Sequence, residues 1–173
     1  MELAELATLV VCMTSCAAFD LRQRRIPNAL NVVVATCGIA AAAATSAATA
    51  GLALAGGALL FVVLYAAWQR RWLGGGDVKL GAAIGTWLGP LHGLYALVLG
   101  VALGAVLAVV VLARGGRALR SEVKTNLTIA LYTRELGGIG PRPDSATIPL
   151  GAALAAAAVA IRLVYGGGSH AAW

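Results

Sequence analysis

From Leu91 to Ala113 the chain carries no Asp, Glu, Lys or Arg. That run is longer than the about 20 apolar residues needed to cross the hydrocarbon core of a bilayer as a helix. In lipid such a segment has to be helical, because each backbone N–H and C=O must find its partner inside the segment. Further apolar runs occur at 3–19, 29–44, 52–68, 80–88 and 148–165, separated by short polar stretches. The sequence therefore predicts an all-α polytopic membrane protein with six transmembrane helices. It reads as a single domain over 1–173 with one longer loop at 114–145. Charge is scarce enough to agree: 12% of residues are charged and 60% hydrophobic, against about 25% charged in soluble domains. That balance excludes a disordered chain, a charged nucleic-acid-binding domain and most water-soluble enzymes. The first partner implied is the lipid bilayer, and no nucleic-acid partner is expected.

The net charge of +6 is unevenly placed. Of the 13 Lys and Arg, all but Arg162 fall after the first, third and fifth apolar runs. In a six-span chain those three loops share one side. Basic loops stay in the cytoplasm, so the loops are expected inside and both termini outside. Arg162, near the far end of the last run, is expected to snorkel to the interface. The first run lacks a basic start and a small-residue cleavage site, so it reads as a retained helix and not a signal peptide. Cys12, Cys16 and Cys37 lie within apolar runs without further ligands nearby, so they read as buried small side chains and no metal is implied. Glycines at 81, 85, 89 and 93, and again at 100 and 104, recur at four-residue spacing. That pattern suits close helix packing in lipid.

Two of the seven acidic residues stand apart. Asp20 and Asp77 each sit at the boundary of an apolar run, on the same side in the topology above. Ionisable groups at membrane depth are costly and mark functional sites by default. Two carboxylates brought close share a proton, so one can activate a water while the other donates to a leaving group. The dipole of the helix that Asp77 opens favours an anion there, whereas Asp20 lies near a helix C-terminus. On that ground the shared proton is expected on Asp20. Gly74, Gly75 and Gly76 precede Asp77, and they are expected to adopt backbone conformations closed to other residues, letting an extended strand approach. Taken alone, the same four residues fit an N-capping Asp. Lys79 serves equally as an interfacial anchor or as a cation steering an acidic residue of a substrate.

The ordered motifs resemble the type IV prepilin peptidase family, the bacterial branch of the GxGD aspartic proteases. In that family a catalytic Asp ends the first core helix, followed by a basic stretch and Ile-Pro-Asn; Asp20 to Asn28, with Arg24 and Pro27 between them, reproduces this. The second catalytic Asp lies in Gly-x-Gly-Asp-Val-Lys, matched by Gly74, Gly76, Asp77 and Lys79. A late Ile-Pro-Tyr-Gly-Pro element resembles Ile148-Pro149-Leu150-Gly151-Ala152, with Leu and Ala as departures. The resemblance implies an inner-membrane aspartic endopeptidase with Asp20 and Asp77 as the catalytic pair and no cofactor. Its substrate would be a prepilin with a short basic leader and an apolar N-terminal helix, within a pilus assembly machinery. Larger family members carry two Cys-x-x-Cys pairs for zinc and N-methylate the trimmed pilin. This chain has no Cys-x-x-Cys, so it resembles the short branch serving Flp/Tad-type pili, without methylation.

Two other classes fit the same residues. A small proton- or ion-coupled transporter would use the Asp pair as its ion site. A non-catalytic pilus or secretion assembly subunit would need neither Asp for chemistry.

Overall fold

The computed structural model describes residues 3–114 and 149–166, and within them the chain is all-helical. Most of the expected loop at 114–145, with Ile148, lies outside the described residues. Helices α1 (Leu3–Gln23), α2 (Asn28–Thr45), α3 (Ala47–Gln69) and α4 (Gly75–Arg114) are each long and apolar enough to cross a membrane. Helix α5 (Leu150–Tyr165) is apolar but shorter, at 16 residues. The chain is thus a membrane protein by the character of its helices. The two apolar runs expected at 80–88 and 91–113 both fall within α4.

Local chemistry sets the helix ends. Helix α1 stops where Arg24 takes a left-handed conformation (φ 51°), its N–H donating to the Asp20 carbonyl at 2.9 Å. Pro27 then starts α2 with φ −58°, a value its ring imposes. The Pro27 carbonyl accepts from the Leu30 N–H at 3.0 Å. Between α2 and α3 stands only Ser46, whose Oγ accepts the Thr49 N–H at 3.1 Å and caps α3. The gap between the apolar runs expected at 29–44 and 52–68 is therefore contracted to one residue, and Gly51 lies inside α3. Helix α3 ends in a left-handed Arg71 (φ 59°). Its N–H donates to the Trp68 carbonyl at 2.8 Å, and that of Trp72 reaches back to Ala67 at 3.1 Å. This paired closure usually employs glycine.

As a straight rod, the 40 residues of α4 would reach about 60 Å at 1.5 Å per residue, twice the hydrocarbon thickness. The helix is broken instead. Gly89 has φ 69° and ψ −176°, outside the helical region, and Pro90 follows with no N–H to donate. The two limbs, 75–88 and 90–114, double back at this point: a Cβ on Gly93 would stand 3.6 Å from the Gly85 Cα, eight positions away. Gly56 of α3 enters the bend, where a Cβ would lie 2.6 Å from the Gly89 carbonyl carbon. Gly56 and Gly85 let the α3 and α4 backbones touch directly, as small residues do in membrane bundles. The four-residue glycine series is thus used against several partners, with Gly100 facing Leu154 and Gly104 facing Leu150 on α5.

The interior is built from Leu9, Met13 and Cys16 of α1, Val34 of α2, Ile84 and Trp87 of α4, and Leu154 of α5. The Trp87 indole N–H donates to the Val34 carbonyl at 2.8 Å, which satisfies a polar group in an otherwise apolar core. Large apolar side chains also face outward, among them Val62, Val98 and Val109. Lipid is as apolar as the core, so such faces need no polar cover.

Candidate active site

Helices α1 and α5 run antiparallel, and this sorts the polar residues to the two ends of the bundle. At one end Glu5 meets Arg162 at 3.4 Å, with the His92 ring 5.1 Å from Tyr165. Arg162 is buried (5% exposed) and ion-paired, where the sequence suggested a side chain snorkelling to the interface. Glu5 lies in the first turn of α1, near enough to reach it.

The opposite end holds both aspartates. Asp20, Arg24, Asn28, Gly74, Gly76 and Asp77 line one cavity of about 350 Å³, together with Arg25, Ile26 and Gly75. Asp20 comes from the last turn of α1 and is 8% exposed. Asp77 comes from the first turn of α4, where its N–H donates to the Gly74 carbonyl at 3.1 Å. Arg24 and Arg25 bring positive charge to the same wall. Two carboxylates facing one solvent-sized space, with cations beside them, can hold a water between them and pass its protons.

The other expected site residues frame the cavity from outside. The Lys79 ammonium donates to Asn28 Oδ1 at 2.7 Å, tying α4 to the start of α2. Pro27 and Pro149 stand at the N-termini of α2 and α5 as backbone elements with no side-chain cap. The glycine run differs from expectation. Gly75 and Gly76 are already helical, and Gly89 is the glycine with positive φ among the described residues. Only at Gly74 is the space tight, where a Cβ would stand 3.3 Å from Asp77 Oδ2; one on Gly76 would make an ordinary contact, 3.9 Å from the Ile26 nitrogen. Asp77 accordingly lies within the helix and is not its cap.

One part of the site was missed from sequence. Asp20 Oδ2 accepts the Ala152 N–H at 2.9 Å across 132 positions of chain. Pro149 has no side-chain acceptor to offer the first turn of α5, so Asp20 caps that helix from another one. Gly151 makes this approach possible, since a Cβ there would stand 2.9 Å from Asp20 Oδ2 and 2.8 Å from Ile26 Cδ1. The positive end of the α5 dipole thus faces Asp20. The expectation that the shared proton sits on Asp20 counted a favourable α4 dipole at Asp77 and an unfavourable α1 dipole at Asp20, and α5 offsets the second of these. The sequence signal for this contact was the late Ile148-Pro149-Leu150-Gly151-Ala152 element, whose Gly151 and Ala152 make it. Among the described residues no three His, Cys, Asp or Glu side chains gather as a metal site.

A family model described as the type IV leader peptidase family matches residues 7–109, which include both aspartates. No curated protein and no solved structure gives a significant match.

Proposed function

The chain belongs to the type IV leader peptidase family, a family of proteases, and from that premise we propose that it is a membrane-embedded aspartic endopeptidase. In this reading it removes the short basic leader of Flp/Tad-like prepilins at the cytoplasmic face of the inner membrane, cutting after a Gly. The observation that carries the proposal is the shared cavity, which takes one carboxylate from α1 and one from α4. Asp20 and Asp77 bind one water. One carboxylate takes a proton from that water as its oxygen bonds to the carbonyl carbon, and the other carboxyl group gives a proton to the departing amine as the C–N bond breaks. The chemistry needs no cofactor. The six-span topology belongs to the same proposal. The reversal at Gly89 makes two crossings of α4, and the basic loops then face the cytoplasm with both termini outside.

The transporter reading would want its acidic pair near mid-membrane, whereas here both acids lie at helix ends. An assembly subunit without catalysis is separated by mutation. Asp20→Asn and Asp77→Asn should each lower leader cleavage at least about 100-fold, with membrane insertion unchanged. The measurement is the mobility shift of a prepilin co-expressed or mixed with the purified protein in detergent. Robust cleavage by either variant would overturn the aspartic mechanism.

A further inference from the structure

Next to the aspartate cavity, a second depression of about 450 Å³ runs between α2, α3 and the first limb of α4. Its mouth is apolar and lipid-facing, with Val32 and Phe61 exposed. Its floor is made of small residues, including Gly57, Ala82 and Ala83, which permit another helix to come close. Asn28 lines both depressions, so the groove leads directly to the aspartates.

The groove also holds a polar group that the fold does not use. Asn31 is 4% exposed, and neither its Oδ1 nor its Nδ2 has a hydrogen-bond partner. Its neighbours are already engaged. Thr86 Oγ1 donates to the Ala83 carbonyl at 2.7 Å, and Asn28 Oδ1 accepts from Lys79. A buried amide left unpaired is costly and has to be explained by what meets it. Its Nδ2 can donate and its Oδ1 can accept, the complement of a peptide unit. A lipid tail offers neither.

A peptide bond inside a helix has its carbonyl hydrogen-bonded and crowded, so a substrate cleaved beside an apolar helix must be unwound there. Unwinding leaves backbone N–H and C=O groups open at membrane depth, where water is scarce. Asn31 lies three positions beyond Asn28, about 4.5 Å further along α2, on the apolar side of the cavity. We infer that this groove docks the apolar helix of the substrate, and that Asn31 pairs with the backbone unit opened on the helix side of the cleaved bond. Asn31 is then a positioning residue for the reaction. The inference rests on the peptidase reading above.

The test uses the whole protein in detergent micelles and a synthetic substrate: a basic leader ending in Gly, followed by about 20 apolar residues. Asn31→Leu keeps the side-chain size and removes the unpaired groups, so it should fold as well as the parent or better. Its KM should rise about tenfold with kcat within threefold. An unchanged KM would overturn the role of Asn31. Separately, a photo-crosslinking amino acid at Phe61 in the Asp77→Asn background should capture the uncleaved substrate, while the same probe at Val109, on a distant lipid-facing surface, should not. Capture at Val109 equal to that at Phe61, or lipid alone captured at Phe61, would overturn docking in the groove. If the unaltered protein leaves the substrate intact, the peptidase reading fails, and the cross-link still decides where the helix binds.

Discussion

The contact between Gly151 and Asp20 makes the sharpest claim about the site. A Cβ added at Gly151 would stand 2.9 Å from Asp20 Oδ2 and 3.1 Å from its Cγ. Ordinary contacts of this kind begin at 3.4 Å, so the carboxylate must withdraw by about half an ångström. The Ala152 N–H bond would then stretch from 2.9 Å toward about 3.4 Å, beyond the usual range for N–H···O. A hydrogen bond to a charged group is worth about 1.5–3 kcal/mol. If that bond is needed in the transition state, its loss slows the reaction about 10- to 150-fold at 1.36 kcal/mol per decade. Loss of the cap also costs α5 about 0.5–2 kcal/mol. Ala152→Pro tests the same bond differently: it deletes the donor outright and puts the ring Cδ where the amide hydrogen faced Asp20, and proline is tolerated in the first helical turn. Single-turnover cleavage of a prepilin substrate by each purified variant gives the rate, and thermal unfolding in detergent gives the fold. Both variants should be folded and slow. If both cleave within twofold of the parent, the α5 N-terminus plays no part in holding Asp20 for catalysis.

Gly85→Ala drives a methyl into α3, 2.5 Å from the Gly56 carbonyl carbon and 2.8 Å from the Gly57 nitrogen; overpacking should cost about 1–3 kcal/mol. Gly51→Ala, with nothing within 4 Å, should be neutral or gain about 0.5–1 kcal/mol. Denaturant titration in mixed micelles ranks the two, and equal stabilities would contradict the glycine crossing. Glu5→Gln removes the charge facing buried Arg162 and should lower stability by about 1–2 kcal/mol; an unchanged unfolding midpoint would show that the pair contributes nothing. Single cysteines at Arg24 and Arg71, in a background with Cys12, Cys16 and Cys37 replaced, should be shielded from a membrane-impermeant maleimide added outside. Cysteines at Ala48 and His92 should react, and opposite behaviour of Arg24 and Arg71 would refute the six-span arrangement.

Much of this architecture is written locally. A run without charge, such as Leu91 to Ala113, can only be helical in lipid, because its backbone has nowhere else to pair. Pro27 and the Gly89-Pro90 step break helices through their own covalent geometry, and both fall between apolar runs of the sequence. Asp20 and Asp77 stood out because a carboxylate beside an apolar run is expensive wherever the chain goes next. What the sequence could not contain was the pairing of surfaces. Smallness at Gly56, Gly85 and Gly151 is a single local property, yet it meets a helix backbone in two cases and a carboxylate in the third. Gly75 and Gly76, expected to open the backbone, are helical, and a Cβ on either would make only ordinary contacts. Arg162 is buried because Glu5, 157 positions away, reaches it, and Asn31 is notable only because its neighbours leave it unpaired. Hydropathy acts along the chain and can be read in one dimension. Steric fit and hydrogen-bond satisfaction depend on which helix faces which, and that is decided only when the bundle closes.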